Sequence, residues 1–372
     1  MSSRLIIVGG FLGAGKTTLI LQAAQMLQAQ GVSVAIITND QGNDLVDTAL
    51  ASEQHIPAIE VPAGCFCCRF DALVDAAQKL ERETSPAIIL AEPVGSCTDL
   101  NATVVLPLEL MYREHYTVAP LTILVDAQRL LHFVRRGAGH ELHSDLAYLF
   151  TKQIEEAERV LLNKCDLLLE EELDFLCKWL QIYCPGIQIR PIAAQSGEGI
   201  APWITDMLVA PARSRPVLDL DYARYGQAEA RLGWFNAGGT LSGERHTHAQ
   251  DWAEQMLETL VNALETARLP IAHIKLFLEA PQAASGKPAH QIIKASVVGP
   301  APALISWDAR DQEMVASGTR WLLNARVDAS PDILRELAAA ALRQAHADAQ
   351  AVVETLACFQ PAPPQPQYRY SC

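Results

Sequence analysis

The sequence predicts an α/β chain: a mostly parallel sheet domain covered by helices, followed by a smaller α+β domain. Three observations carry this. Short continuous apolar runs alternate with segments of helical period up to about residue 210. A glycine-rich loop ending in lysine directly follows the first apolar run, and the order of elements changes beyond the break Pro211-Ala-Arg-Ser-Arg-Pro216. Apolar strands without polar alternation are buried on both faces, which is the signature of a parallel sheet between helix layers.

The elements follow in order. Leu5-Ile6-Ile7-Val8 reads as the first strand and Lys16 to Gln30 as the helix behind it. Val34 to Ile37 and Ile59-Glu60-Val61 are the next strand-like runs. Leu73, Ala76, Ala77 and Leu80 then fall at the i, i+3, i+4, i+7 spacing of one helix face. Further strands are expected at Ala87–Leu90, Thr122–Val125, Val160–Leu162 and Ile187–Ile189. The composition divides the chain into a first domain over 1–212, a linker over 213–228, a second domain over 229–359 and a proline-rich tail over 360–372. In the second domain a strand near Leu232–Asn236 precedes a helix from about Ala249 to Ala267. Strands near 273–278, 291–298 and 321–327 come next, and a final alanine-rich helix is expected over Pro331–Leu356. The tail is expected to be extended.

Charge and composition narrow the function. Half of the 372 residues are apolar, enough for a substantial core, and Lys+Arg 29 against Asp+Glu 43 leaves a net charge of −14. An acidic surface disfavours nucleic acid and anionic membranes and suits metal cations or other proteins. The first apolar run is too short for a secretory signal, and no stretch approaches the roughly 18 apolar residues of a membrane span. Nine cysteines are too sparse for a disulfide scaffold, so a reducing, cytoplasmic setting is expected.

Gly10-Phe-Leu-Gly13-Ala14-Gly15-Lys16-Thr17-Thr18 matches the phosphate-loop pattern in full, with a strand before it and a helix after it. Its glycines let backbone N–H groups face phosphate oxygens at a positive helix end. Lys16 is expected to bridge the terminal phosphates and the Thr17 hydroxyl to bind Mg²⁺. The first domain therefore reads as a P-loop NTPase. Asn163-Lys164-Cys165-Asp166 follows a later strand. The Asp166 carboxylate can accept from guanine's ring N–H and exocyclic amine together, a pair that adenine lacks. Asn163 can contact the other base edge, and the Lys164 stem can cover the ring. Glu92-Pro-Val-Gly95 ends another strand: Glu92 can order the attacking water or a Mg²⁺-bound water, and the Gly95 N–H can sense the γ-phosphate. Asp40, after the second strand, can act on Mg²⁺ through water or ligate a transition metal.

Cys65-Phe66-Cys67-Cys68 places three thiols within four residues. Thiolates suit soft cations such as Zn²⁺ or Cu(I). Three cysteines leave a fourth position for Asp40, a histidine or water, which suits an ion that is delivered rather than structural. The other six cysteines, Cys97 among them, read as inert. His246 with His248, and His140 with His143, read as surface pairs.

The motifs, in this order and spacing, make the chain resemble the CobW-like GTPases, relatives of the GTPases that help load nickel into urease and hydrogenase. The thiol motif is the most specific part of that resemblance, because other P-loop GTPases lack it. It implies a GTP-hydrolysing metallochaperone that uses GTP/GDP and Mg²⁺, binds Zn²⁺ or Co²⁺ and delivers it to a client metalloprotein, with homo-oligomer formation left open. Lys16 and Thr17 would hold phosphate and Mg²⁺; Cys65, Cys67 and Cys68 the metal; Asn163 and Asp166 the guanine. The chain departs from the family in three places. Asn39-Asp40-Gln41-Gly42 stands where Asn-Glu-Phe-Gly is common, Ala193-Ala194-Gln195 stands for the Ser-Ala-like loop beside the base, and the histidine-rich stretch is reduced to His246 and His248. Two alternatives remain: a GTP-toggled regulatory switch with an incidental metal, and a P-loop kinase or ATPase with a structural zinc.

Overall fold

The computed structural model describes residues 2–39, 56–62, 64–136, 144–210, 217–243, 248–279, 292–299, 304–308, 317–345 and 348–370. Among the described residues two compact units emerge: one from residues up to 228 together with the tail from 363, the other from residues within 229–362.

The first unit is built on β1 (Ser3–Gly9), β2 (Val34–Asn39), β3 (Ala58–Val61), β4 (Ile88–Glu92), β5 (Tyr116–Val118), β6 (Thr122–Asp126), β7 (Arg159–Asn163) and β8 (Gln188–Pro191). These lie in the order β3-β2-β4-β1-β6-β7-β8, with β5 also pairing β1, and every pairing is parallel. The apolar runs of β1, β2, β4 and β6 are buried along their length, as helices on both faces require. Register brings the functional strand ends level: Thr38 lies beside Glu92, Asn39 beside Val61 and Asp126 beside Asn163. Chain order reverses on either side of β1, and ligands of open α/β sheets bind at the carboxyl ends of strands where this happens.

The helices of this unit are α1 (Lys16–Ala29), α2 (Phe70–Thr84), α3 (Leu106–Met111), α4 (Ala127–Arg136), α5 (Ser144–Glu156), α6 (Glu170–Tyr183), α7 (Ile200–Val209) and α8 (Tyr222–Arg231), which runs into the second unit. In α2, Leu73, Ala76, Ala77 and Leu80 face the core, as their spacing predicts. A π-helical turn over Asn101–Val105 leads into α3. Part of the stretch expected as a linker is helical in α8.

The second unit is an antiparallel sheet, β12-β11-β10-β13-β9-β14, formed by β9 (Leu232–Gly243), β10 (Ile271–Glu279), β11 (Ile292–Val298), β12 (Leu304–Asp308), β13 (Arg320–Asp328) and β14 (Ala349–Phe359). Helices α9 (Ala249–Thr266) and α10 (Pro331–Gln344) contribute Trp252, Leu257, Leu260, Leu334 and Ala338 to a core with Ile274, Leu276, Leu323 and Ala325. Ser330 caps α10 by accepting from the Ile333 N–H, with Pro331 in the first turn. Elsewhere in this unit the Arg326 guanidinium lies 3.9 Å from the centroid of the Trp234 ring and donates to Asn236 Oδ1 at 2.7 Å.

One expectation is corrected here. The alanine-rich helix ends at Gln344, and the stretch expected to continue it forms β14, antiparallel to β9 from Ala349↔Gly243 to Phe359↔Trp234. Val352, Val353 and Thr355 are β-branched, and the open edge of β9 supplies backbone partners that a lengthened helix would leave unpaired. Strands β5 and β12, short and on the margins of their runs, are additional to the predicted set.

Candidate functional site

The phosphate loop leaves β1 through Gly10, at φ +132°, where a Cβ would lie 2.2 Å from the Leu124 carbonyl oxygen. Only glycine fits so close to β6. Gly15, at φ +95°, would bring a Cβ within 2.5 Å of the Asn163 amide nitrogen. Gly13 also has positive φ. Lys16 is buried, and its Nζ donates to Gly10 O at 2.9 Å and to Phe11 O at 3.4 Å. Thr17 Oγ1 donates to the Glu92 carboxylate at 2.9 and 3.1 Å. The structure therefore brings Lys16, Thr17 and Glu92 together, with Thr18 half-buried in the next position.

Asn163 acts as a brace. Its Nδ2 donates to Ala14 O at 2.7 Å, and its Oδ1 accepts from the Ala194 N–H at 2.9 Å. It thereby ties the phosphate loop to the loop after β8. Lys164, in the left-handed region at φ +63°, donates to Asp126 Oδ2 at 2.6 Å. That turn leaves Asp166 exposed on the short helical turn Cys165–Leu167, where a base could reach its carboxylate.

The thiols converge because the chain coils at Cys65, whose carbonyl accepts from the N–H groups of Cys68 and Arg69 at 3.0 and 2.9 Å. The Sγ atoms of Cys65, Cys67 and Cys68 lie within 4.8 Å of one another. Asn39 pins this turn to the end of β2 by donating to Val61 O and Gly64 O at 2.7 and 2.6 Å. Hydrogen bonding to Cys65, then to Cys68 and Cys97, and burial push the Cys67 thiol well above its usual range. Cys68 is pushed up to about 11, first by its bond with Cys65. Cys67 and Cys68 thus favour their protonated forms, and loading a metal on them expels protons. Asp40, His140, His143 and His246 lie outside the described residues; His248 is described at the start of α9.

Several contributors lie outside the phosphate, base and thiol motifs. Arg129 donates to Leu12 O at 2.7 Å and holds the phosphate loop from α4. Gln153 donates to Gly95 O and Cys97 O at 3.0 and 2.8 Å, so α5 holds the loop after Glu92. Glu156 accepts from Thr98 Oγ1 at 3.0 Å and the Leu100 N–H at 2.6 Å. Gln153 and Glu156 belong to the run Gln153-Ile-Glu-Glu-Ala-Glu-Arg-Val-Leu-Leu that leads into Asn163 and resembles the family's run before its base motif, whereas nothing local in the sequence marks Arg129.

Burial, then the Asp99 charge, raise the Glu156 carboxyl from 4.5 to about 8. An acid with a raised folded pKa adds stability that is complete below its unfolded pKa and lost as pH rises through the folded one. Glu156→Gln is therefore expected to flatten the decline of Tm between about pH 5 and pH 8. Thermal melts at matched pH check this; parallel parent and variant profiles would mean that Glu156 titrates normally.

The tail closes over the thiol turn. Pro364 and Pro366 hold it extended and have no N–H, so Gln365 and Gln367 supply the donors. The Gln367 N–H donates to Cys67 O at 2.9 Å and the Gln365 N–H to Cys68 Sγ at 3.2 Å. Gln367 also exchanges hydrogen bonds with Asp71 at 2.9 and 3.2 Å, and Arg369 donates to buried Asp99 at 2.7 Å. Each exposed bond of this kind contributes about 1 kcal/mol or less. Gln367→Ala is accordingly expected to speed alkylation of Cys68 by up to about tenfold, read by mass spectrometry. An unchanged rate would mean that the tail gives the thiol no protection.

Among the described residues, no helix is long and apolar enough to cross a membrane. A family model described as "CobW/HypB/UreG, nucleotide-binding domain" matches residues 4–190. The Zinc-regulated GTPase metalloprotein activator 1 of Dictyostelium discoideum is 27% identical over 196 residues, covering 45% of this chain and 41% of that protein. The zinc chaperone CobW of Sinorhizobium sp is 29% identical over 193 residues, covering 44% of this chain and 51% of that protein. The match thus spans about half the length of these curated relatives. The Zn(II)-bound YjiA GTPase structure from E. coli is 16% identical, covers 91% of this chain and 99% of that one, and has a TM-score of 0.38. With a phosphate loop, a strand-end glutamate, a thiol turn and a braced Asn-Lys-Cys-Asp loop in one parallel sheet, and with the family model matching half its length, the chain belongs to the CobW/HypB/UreG family.

Proposed function

We propose that the chain hydrolyses GTP and couples this to the handling of a zinc ion held by Cys65, Cys67 and Cys68, which it passes to a client metalloprotein. The observation that carries this is the convergence of three thiols within 4.8 Å on a turn pinned to β2, the strand whose Thr38 lies beside Glu92. The donor set is soft and suits Zn²⁺, or Co²⁺ as a spectroscopic substitute. The names of the curated relatives support zinc over other metals.

In this reading Lys16 releases its carbonyl partners to bridge the β- and γ-phosphates, backbone N–H groups from Gly10 to Thr18 cradle them, and Glu92 orients the attacking water. The Gly95 N–H faces the γ-phosphate, and Asp166, Lys164 and the Ala194 loop receive the guanine. Hard oxygens on Thr17 and Glu92, 2.9 Å apart, fit Mg²⁺, which supplies charge neutralisation at the phosphates when bound.

The test loads the full chain with one equivalent of Zn²⁺ and follows transfer to a chromogenic chelator with GTP, GDP or a non-hydrolysable GTP analogue, while phosphate release is recorded. GTP-dependent transfer is the expected result. Hydrolysis with identical transfer under all three nucleotides would overturn delivery and favour the regulatory switch; ATP turned over as well as GTP would favour the kinase-like alternative.

A further inference from the structure

The thiol turn has a fourth neighbour outside its motif. Cys97 lies two residues beyond Gly95, is 1% exposed, and its Sγ stands 3.8 Å from Cys67 Sγ although 30 positions separate the two residues. Its backbone is fixed at both ends: its N–H donates to Val94 O at 2.9 Å, and its carbonyl accepts from Gln153 at 2.8 Å. The same Gln153 amide nitrogen holds Gly95 O. Gly95 in turn packs so tightly on the phosphate loop that a Cβ there would lie 2.7 Å from the Leu12 side chain. A continuous set of contacts therefore runs from the phosphate loop through Gly95 to Cys97 and Cys67.

Four sulfurs at about 2.3 Å from one zinc ion occupy corners of a tetrahedron about 3.8 Å apart. The Cys67–Cys68 and Cys67–Cys97 separations are both 3.8 Å already. Cys65 is closer, 2.8 Å from Cys67 and 3.1 Å from Cys68, and an ion between them would spread these edges by about 1 Å or less. Cys97 stands outside the group whose sulfurs all lie within 4.8 Å of one another, so loading must also draw its Sγ inward toward Cys65 and Cys68. No other cysteine among the described residues has its Sγ recorded against this group.

We propose that Cys97 is the fourth thiolate of the zinc site and that it makes zinc retention depend on the loop after Glu92. This rests on the zinc reading of the three-thiol turn given above. With all four sulfurs bound, the ion has no open position and is retained. A shift of Gly95 toward a γ-phosphate draws Cys97 from the ion. Its thiolate takes a proton from water, and the vacated position accepts a donor from the client. No electron changes hands, and the ion leaves as Zn²⁺.

Zinc-edge X-ray absorption on the zinc-loaded full chain counts the sulfurs. The parent without nucleotide is expected to show four sulfurs at about 2.3 Å, and three plus one lighter atom with a non-hydrolysable GTP analogue. Cys97→Ser and Cys97→Ala are both expected to show three sulfurs under either condition, and to release zinc to a chelator at least about tenfold faster than the parent without nucleotide. The parent spectrum alone decides the ligand count even where a buried substitution impairs folding. Three sulfurs in the nucleotide-free parent, or four in a folded Cys97 variant, overturns the proposal and leaves the three-thiol site standing. Four sulfurs unchanged by the analogue overturns the coupling. A parent that binds no zinc removes the three-thiol reading together with this one, a result distinct from zinc held by three sulfurs.

Discussion

Zinc affinity is expected to fall by roughly a hundredfold or more when Cys67 is replaced by serine. Loss of a partner that merely orients a ligand costs 10–100-fold in metal affinity, and loss of a direct thiolate should reach at least the top of that range. Cys67 is the hub of the cluster, with Cys65 at 2.8 Å and Cys68 and Cys97 each at 3.8 Å. It is also 1% exposed, so bulk water has poor access to the position that its sulfur leaves. A serine hydroxyl does not ionise near neutral pH and is a poor ligand for a soft ion. Competition with a chromogenic chelator measures the loss, and Co²⁺ loading should lose part of its sulfur-to-metal charge-transfer absorption. Equal affinities in parent and variant would place the metal elsewhere.

Base choice carries the other large effect. Asp166→Asn is expected to lower GTP affinity about a hundredfold, which corresponds to roughly 3 kcal/mol for a bidentate charge-assisted pair. The amide presents a donor to guanine's exocyclic amine, itself a donor. Xanthine has a carbonyl there, so the variant should gain XTP. Asp166 is exposed on its turn, while Asn163 is braced by Ala14 and Ala194 and Lys164 by Asp126. The substitution therefore leaves the scaffold of the loop intact, and its effect should fall on selectivity rather than folding. Competition of GTP, ATP and XTP against a fluorescent nucleotide reads it. Unchanged selectivity would mean that Asp166 does not read the base.

Asn163 illustrates how far a motif can be read. Its place in Asn-Lys-Cys-Asp suggests a contact with the base. Its amide also joins two loops that lie 149 and 31 positions away from it in the chain, a role visible only once β1, β7 and the loop after β8 lie side by side. The C-terminal helix shows the opposite case: alanine content favoured its continuation, but an unpaired strand edge outweighed propensity from Ala349 onward.

The sequence by itself determined the parallel sheet of the first unit, its phosphate loop, the thiol turn and the family resemblance. Each rests on residues within a few positions of one another, where backbone geometry is local and period or spacing encodes it directly. Tertiary structure alone decided that Cys97 adjoins Cys67, that Gln153 holds Gly95 and Cys97 together, that Arg129 steadies the phosphate loop, and that Gln365 and Gln367 lie across the thiols. Those pairings depend on strand order, register and the path of a tail nearly three hundred residues downstream. No local pattern specifies them, because they arise from burying separate apolar faces against one sheet.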